Sequence, residues 1–107
     1  MYKNITKLAK VFSALSDETR LKIVMVLMNK NMQVTQIHEE LGKEKISLSG
    51  ISHQLKYLTN LDLVISQKNG REKEYSLSKD FCWCILKHGM NHFDNKCNCA
   101  CSKIKNG

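Results

Sequence analysis

Apolar residues at Ile5, Leu8, Phe12 and Leu15 recur at steps of three and four, the spacing of one helical face, and predict a first helix. Ser16 is placed to cap a second helix, with Asp17 and Glu18 in its first turn near the positive end of the helix dipole. Leu21, Val24, Met25 and Met28 form the buried stripe expected of it, and the pattern breaks over Asn29–Met32. Thr35 is the expected N-cap of a short third helix carrying Ile37 and Leu41, with His38 facing solvent. Gly42 suits its end because glycine tolerates positive φ. After the charged connector Lys43–Lys45, Ser47 caps a fourth helix with Leu48, Ile51, Leu55 and Leu58 on one side. Its other side presents Ser49, Gly50, Ser52, His53 and Lys56.

The period then changes. Leu63–Lys68 and Arg71–Leu77 flank Asn69-Gly70, the dipeptide expected at the centre of a type I′ hairpin turn because both residues accept positive φ. From Phe81 to Asp94 the pattern is helical again. At about 100° per residue, Phe81, Cys82, Trp83, Ile85, Leu86, Gly89, Met90 and Phe93 fill an apolar arc of about 200°. So wide an arc on a terminal helix implies cover from outside its own small domain, as a dimer interface provides.

Helix, turn, helix and then a hairpin with a basic tip is the order of a winged helix-turn-helix. The expected fold is therefore mainly α with a β-hairpin wing: about five helices, one two-stranded hairpin, assembled as a dimer. Residues 1–94 are expected to form the DNA-binding and dimerisation domain, and residues 95–107 a Cys-rich C-terminal tail. In such a fold the fourth helix enters the major groove, where Ser, His and Lys side chains reach phosphates and base edges. Lys68, Asn69, Arg71 and Lys73 suit the wing.

Composition narrows the function. A length of 107 residues suits one domain. The longest purely aliphatic run, Ile23–Met28, is far too short for a membrane span, and no signal-peptide core opens the chain, so a cytoplasmic protein without a membrane partner is expected. Seventeen Lys and Arg against ten Asp and Glu give a net charge of +7, which favours a polyanionic partner, nucleic acid first. There is no Cys-x-x-Cys, no phosphate loop and no acid, base and nucleophile set, so neither an enzyme nor a small organic substrate is expected.

Three separated segments make the reading more specific. Phe12-Ser13-Ala14-Leu15-Ser16-Asp17-Glu18-Thr19-Arg20-Leu21, then Ile51-Ser52-His53-Gln54-Leu55-Lys56-Tyr57-Leu58, then Gly70-Arg71 with Tyr75-Ser76-Leu77 resemble the signatures of the ArsR/SmtB family. The resemblance implies a homodimeric repressor that binds double-stranded operator DNA when unliganded and releases it when a metal or metalloid ion binds. It implies that Ser47, Ser49, Gly50, Ser52, His53 and Lys56 face the operator, and that Asn69, Gly70 and Arg71 form the wing tip. The chain departs from the family pattern in a longer turn, Gly42-Lys43-Glu44-Lys45-Ile46, and in carrying Gln33-Val34-Thr35-Gln36-Ile37 where many members have paired cysteines.

All five cysteines, Cys82, Cys84, Cys97, Cys99 and Cys101, fall after residue 81, an odd and clustered set that points to metal or redox chemistry rather than a disulfide framework. Cys84, His88 and His92 occupy one helical stripe at i, i+4 and i+8. Adjacent members can share an ion. All three cannot easily do so, since i to i+8 spans about 12 Å, so a closed site needs a donor from the tail or from a second copy. Cys97-Asn98-Cys99-Ala100-Cys101 offers three thiolates suited to a soft ion as inducer: Zn(II), Cd(II), Pb(II), Cu(I) or As(III). Many family members bind metal between the terminal helices of the dimer, although their Asp-x-His and His-x-x-His/Glu spacing is absent here. Cys82, within the apolar arc, is read as a packed residue. The competing readings are a thiol redox or persulfide sensor on the same fold, and a metal-buffering Cys-rich protein without specific DNA binding.

Overall fold

Residues 2–79, 81 and 83–94 are described by the computed structural model. Cys82 and the segment 95–107, with Cys97, Cys99 and Cys101, lie outside the described residues. The chain runs α1 (Ile5–Leu15), α2 (Glu18–Asn29), β1 (Met32–Gln33), α3 (Val34–Leu41), α4 (Leu48–Asn60), β2 (Val64–Asn69), β3 (Glu72–Leu77) and α5 (Cys84–Phe93). The five expected helices and the hairpin are present. The sheet has a third strand that the sequence pattern concealed.

Local chemistry explains most of the boundaries. The Ser16 hydroxyl donates to the Ser13 carbonyl at 2.7 Å, so Ser16 closes α1 rather than opening α2. Asp17, in extended conformation, is the N-cap of α2: its carboxylate accepts from the Arg20 N–H at 3.0 Å. The residues of α2 buried most deeply are Ile23, Val24 and Leu27, with Leu21, Met25 and Met28 only half-buried. The expected stripe is rotated because α2 packs against α1, α3, α4 and β3 rather than against one surface. For α3 the cap is Gln33 and not Thr35. Gln33 and Gln36 exchange side-chain and backbone hydrogen bonds in a capping box, with Gln33 N–H donating to Gln36 Oε1 at 2.9 Å. Gly42 ends α3 at φ +93°, as its freedom from a Cβ allows.

The sheet order is β1-β3-β2, antiparallel throughout. In β1, Met32 pairs with Tyr75 and Gln33 with Glu74, so the stretch expected to be irregular supplies an outer strand and a buried side chain, Met32. The core gathers Ala14 and Leu15 from α1, Ile23, Val24 and Leu27 from α2, Ile37 from α3, Ile51, Leu55 and Leu58 from α4, and Leu63 and Val64 at the start of the hairpin. Each of the buried Leu, Ile and Val side chains contributes about 1.5–3 kcal/mol through removal from water. Because α4 supplies three fully buried residues, its opposite face is held outward by the core itself.

Candidate nucleic-acid interface

The outward face of α4 is built by its cap and its period. Ser47 Oγ accepts the Gly50 N–H at 3.0 Å and lies 3.2 Å from Ser49 Oγ, fixing the first turn. With Ile51, Leu55 and Leu58 turned fully inward, a rotation of 100° per residue puts Ser49, Ser52, Lys56 and His53 within an arc of about 100° on the opposite side. All four are exposed, as is Ser47. Leu48, expected on the inner side, is 42% exposed because it opens the helix beyond the edge of the core.

Gly50 is only half-buried, and its role extends beyond that face. A Cβ there would lie 3.1 Å from Ile46 Cγ1 and 3.2 Å from Ser47 Oγ, so the bare backbone lets the long α3–α4 turn close onto the first turn of α4. His38 serves the same turn. Expected to face solvent, it is half-buried, and its Nε2 lies 2.7 Å from the Ile46 carbonyl oxygen, tying α3 to the end of the connector. No local sequence signal marks that bond, since its partner is eight residues away.

In the wing, Lys68 stands directly opposite Lys73, and Asn69 opposite Glu72. The two-residue connection is therefore Gly70-Arg71, one position later than the expected Asn69-Gly70. Gly70 has φ +72° while neither Asn69 nor Arg71 is at positive φ, the pattern of a type II′ connection rather than type I′. Lys68, Asn69, Gly70, Arg71 and Lys73 are all exposed. Two lysines paired across strands repel one another, a modest cost in the isolated protein that a polyanion would remove.

The donors on α5 occupy a different part of the chain. Cys84, His88 and His92 are exposed on this helix at one-turn spacing. Among the described residues, no three His, Cys, Asp or Glu side chains come together to hold a metal ion. The donor types, thiolate and imidazole, suit a soft or borderline ion. The approach to α5 is pinned by Trp83, whose indole N–H donates to the Ser78 carbonyl at 2.8 Å and whose ring meets Phe81 edge-on at 4.7 Å. Phe81, Trp83 and Leu86 pack on the core, whereas Ile85, Met90 and Phe93 are exposed. On α1, Ile5, Leu8 and Phe12 are exposed too. Tyr2, Ile5, Leu8, Val11 and Phe81 are among the residues lining an open groove of about 770 Å³.

Residues 17–66 match the family described as bacterial regulatory protein, arsR family. The chain is 34% identical over 89 residues to the HTH-type transcriptional regulator NmtR of Mycobacterium tuberculosis, a match covering 83% of this chain and 72% of that protein. This chain belongs to the ArsR family. The arsenical resistance operon repressor of Staphylococcus xylosus is 31% identical over 99% of this chain and 96% of its own length. A solution structure of apo-NmtR superposes with a TM-score of 0.72 at 30% identity, covering 89% of this chain and 77% of that one. A homodimeric winged helix-turn-helix DNA-binding domain from Mycobacterium bovis gives 0.63 at 25% identity, covering 71% of this chain and 68% of its own. As an ArsR-family member the protein is a DNA-binding transcriptional regulator with a winged helix-turn-helix and not an enzyme, which sets aside the metal buffer without DNA binding. Among the described residues no helix is long and apolar enough to cross a membrane.

Proposed function

We propose that this ArsR-family regulator is a cytoplasmic homodimeric repressor whose hold on operator DNA is relieved by a soft metal or metalloid ion. The observation that carries the DNA-binding half is the arc of Ser49, Ser52, His53 and Lys56 held opposite three fully buried residues of α4. With α4 in the major groove, these side chains meet base edges and phosphates, Ser47 meets the backbone at the helix start, and Gly50 allows close approach. Lys68, Asn69, Gly70, Arg71 and Lys73 follow the adjoining backbone or minor groove. Dimerisation places the exposed apolar residues of α1 and α5 against their counterparts, as the homodimeric state of the Mycobacterium bovis relative supports.

The inducer half rests on donor chemistry. Cys84, His88 and His92 on α5, joined by Cys97, Cys99 and Cys101, offer thiolate and imidazole to one ion of Zn(II), Cd(II), Pb(II), Cu(I) or As(III). The likeness to an arsenical resistance operon repressor over nearly the whole of both chains supports a metalloid among these. Ion binding favours a dimer geometry in which the two recognition helices no longer match successive grooves, a coupling between two sites. The test is a mobility assay on DNA from upstream of the protein's own coding region, titrated with each ion under reducing conditions. Binding that one or more ions abolish is the expected result. Indifference to every ion together with release by an oxidant would replace the metal sensor with a thiol redox sensor.

A further inference from the structure

Arg20, on the first turn of α2, reaches two other helices at once. Its Nε donates to Gln54 Oε1 of α4 at 2.7 Å, its Nη1 donates to the Ala14 carbonyl near the end of α1 at 3.4 Å, and its guanidinium carbon sits 3.9 Å from the centre of the Tyr57 ring on α4. The root of the side chain is itself anchored, because the Arg20 N–H is the donor bound by the Asp17 cap. Gln54 and Tyr57 lie one turn apart on α4 and directly beside His53 and Lys56 of the outward arc. Among the described residues no carboxylate pairs with this guanidinium, so its partners are an amide oxygen, a peptide carbonyl and an aromatic face.

An arginine serving a phosphate directly needs its fork free; this one has its Nε and one arm engaged and its face covered. Only a planar cation can donate in two directions while stacking on a ring, which a lysine ammonium cannot reproduce. We propose that Arg20 is a positioning residue for operator binding: by bracketing Gln54 and Tyr57 to the α1–α2 corner, it sets the roll of α4 and hence the aim of His53 and Lys56. The proposal rests on α4 being the face that meets DNA.

The experiment compares operator affinity and its salt dependence in Arg20→Lys, Arg20→Ala, Gln54→Leu and their double variants, with folding followed by circular dichroism. Arg20→Lys keeps the charge and loses the bracket, so it is expected to bind about tenfold more weakly, as loss of a hydrogen bond to a charged group produces. The slope of log affinity against log salt should equal that of the parent, because no phosphate contact is removed. Gln54→Leu is expected to show the same pattern, and combining it with Arg20→Lys should add little further loss, since both cut one link. If Arg20→Lys does not fold, Gln54→Leu and Tyr57→Leu carry the same comparison. Parent-like affinity in Arg20→Lys, or a salt slope reduced by about one phosphate contact in Arg20→Ala, would overturn the proposal. Failure of the underlying reading shows separately, as Lys56→Ala binding DNA like the parent.

Discussion

At the residue scale, side chains close together on α4 do different work. Ser47 is a cap: with it replaced by Ala, the Gly50 N–H loses its acceptor, and stability in chemical denaturation should fall by about 1 kcal/mol. Lys56 and Arg71, exposed on α4 and at the wing tip, are expected to act through phosphates. Lys56→Ala and Arg71→Ala should each weaken operator binding and reduce the salt slope by about 0.9, with stability unchanged within about 0.5 kcal/mol. Anisotropy of labelled DNA over a range of salt concentrations checks both, and a slope equal to the parent's would remove that residue from the interface. Arg20 differs from them because its guanidinium is already engaged inside the protein.

At the element scale, what could be read from the sequence was what is encoded locally. The period of α1 and, apart from Leu48, of α4, the Ser47 cap and the glycine ending α3 each depend on residues within a turn or two, and each stands where the pattern put it. Features set by distant partners were hidden. A two-residue strand has no period, and β1 exists only through its pairing with β3, more than forty positions later. The hairpin connection falls at Gly70-Arg71 because β2–β3 register overrides the preference of the Asn-Gly dipeptide. The inner face of α2 is rotated from its apolar stripe because four elements surround it, and the Arg20–Gln54 link spans 34 residues. Ile85 on α5 and Phe12 on α1 are about half exposed, at 47% and 48%, so each tolerates substitution within the chain. If these faces form the dimer seam, Ile85→Glu and Phe12→Glu should yield a folded monomer in sedimentation velocity, because an unpaired carboxylate would be buried in the seam.

At the scale of the whole molecule, the proposed function separates binding and sensing along the chain. The residues assigned to DNA end at Lys73, and the soft donors begin after the wing. The candidate site was legible as a set of donors, Cys84, His88 and His92 at one-turn spacing, but not as a closed geometry: a single helix stripe too long for one ion needs ligands from another segment or another chain. Replacing His88 and His92 with Ala should impair release by Zn(II) more than release by As(III), because imidazole ligates zinc readily whereas three thiolates suffice for arsenic.

The separation of the two functions is tested most directly by titrating As(III) into the protein–operator complex, under reducing conditions, for the full chain and for a chain ending at Lys96. Both should bind the operator with equal affinity before the ion is added. Only the full chain, which carries Cys97, Cys99 and Cys101, should then release it. Equal release by the two chains would contradict the assignment, placing the inducer site outside the cysteine cluster.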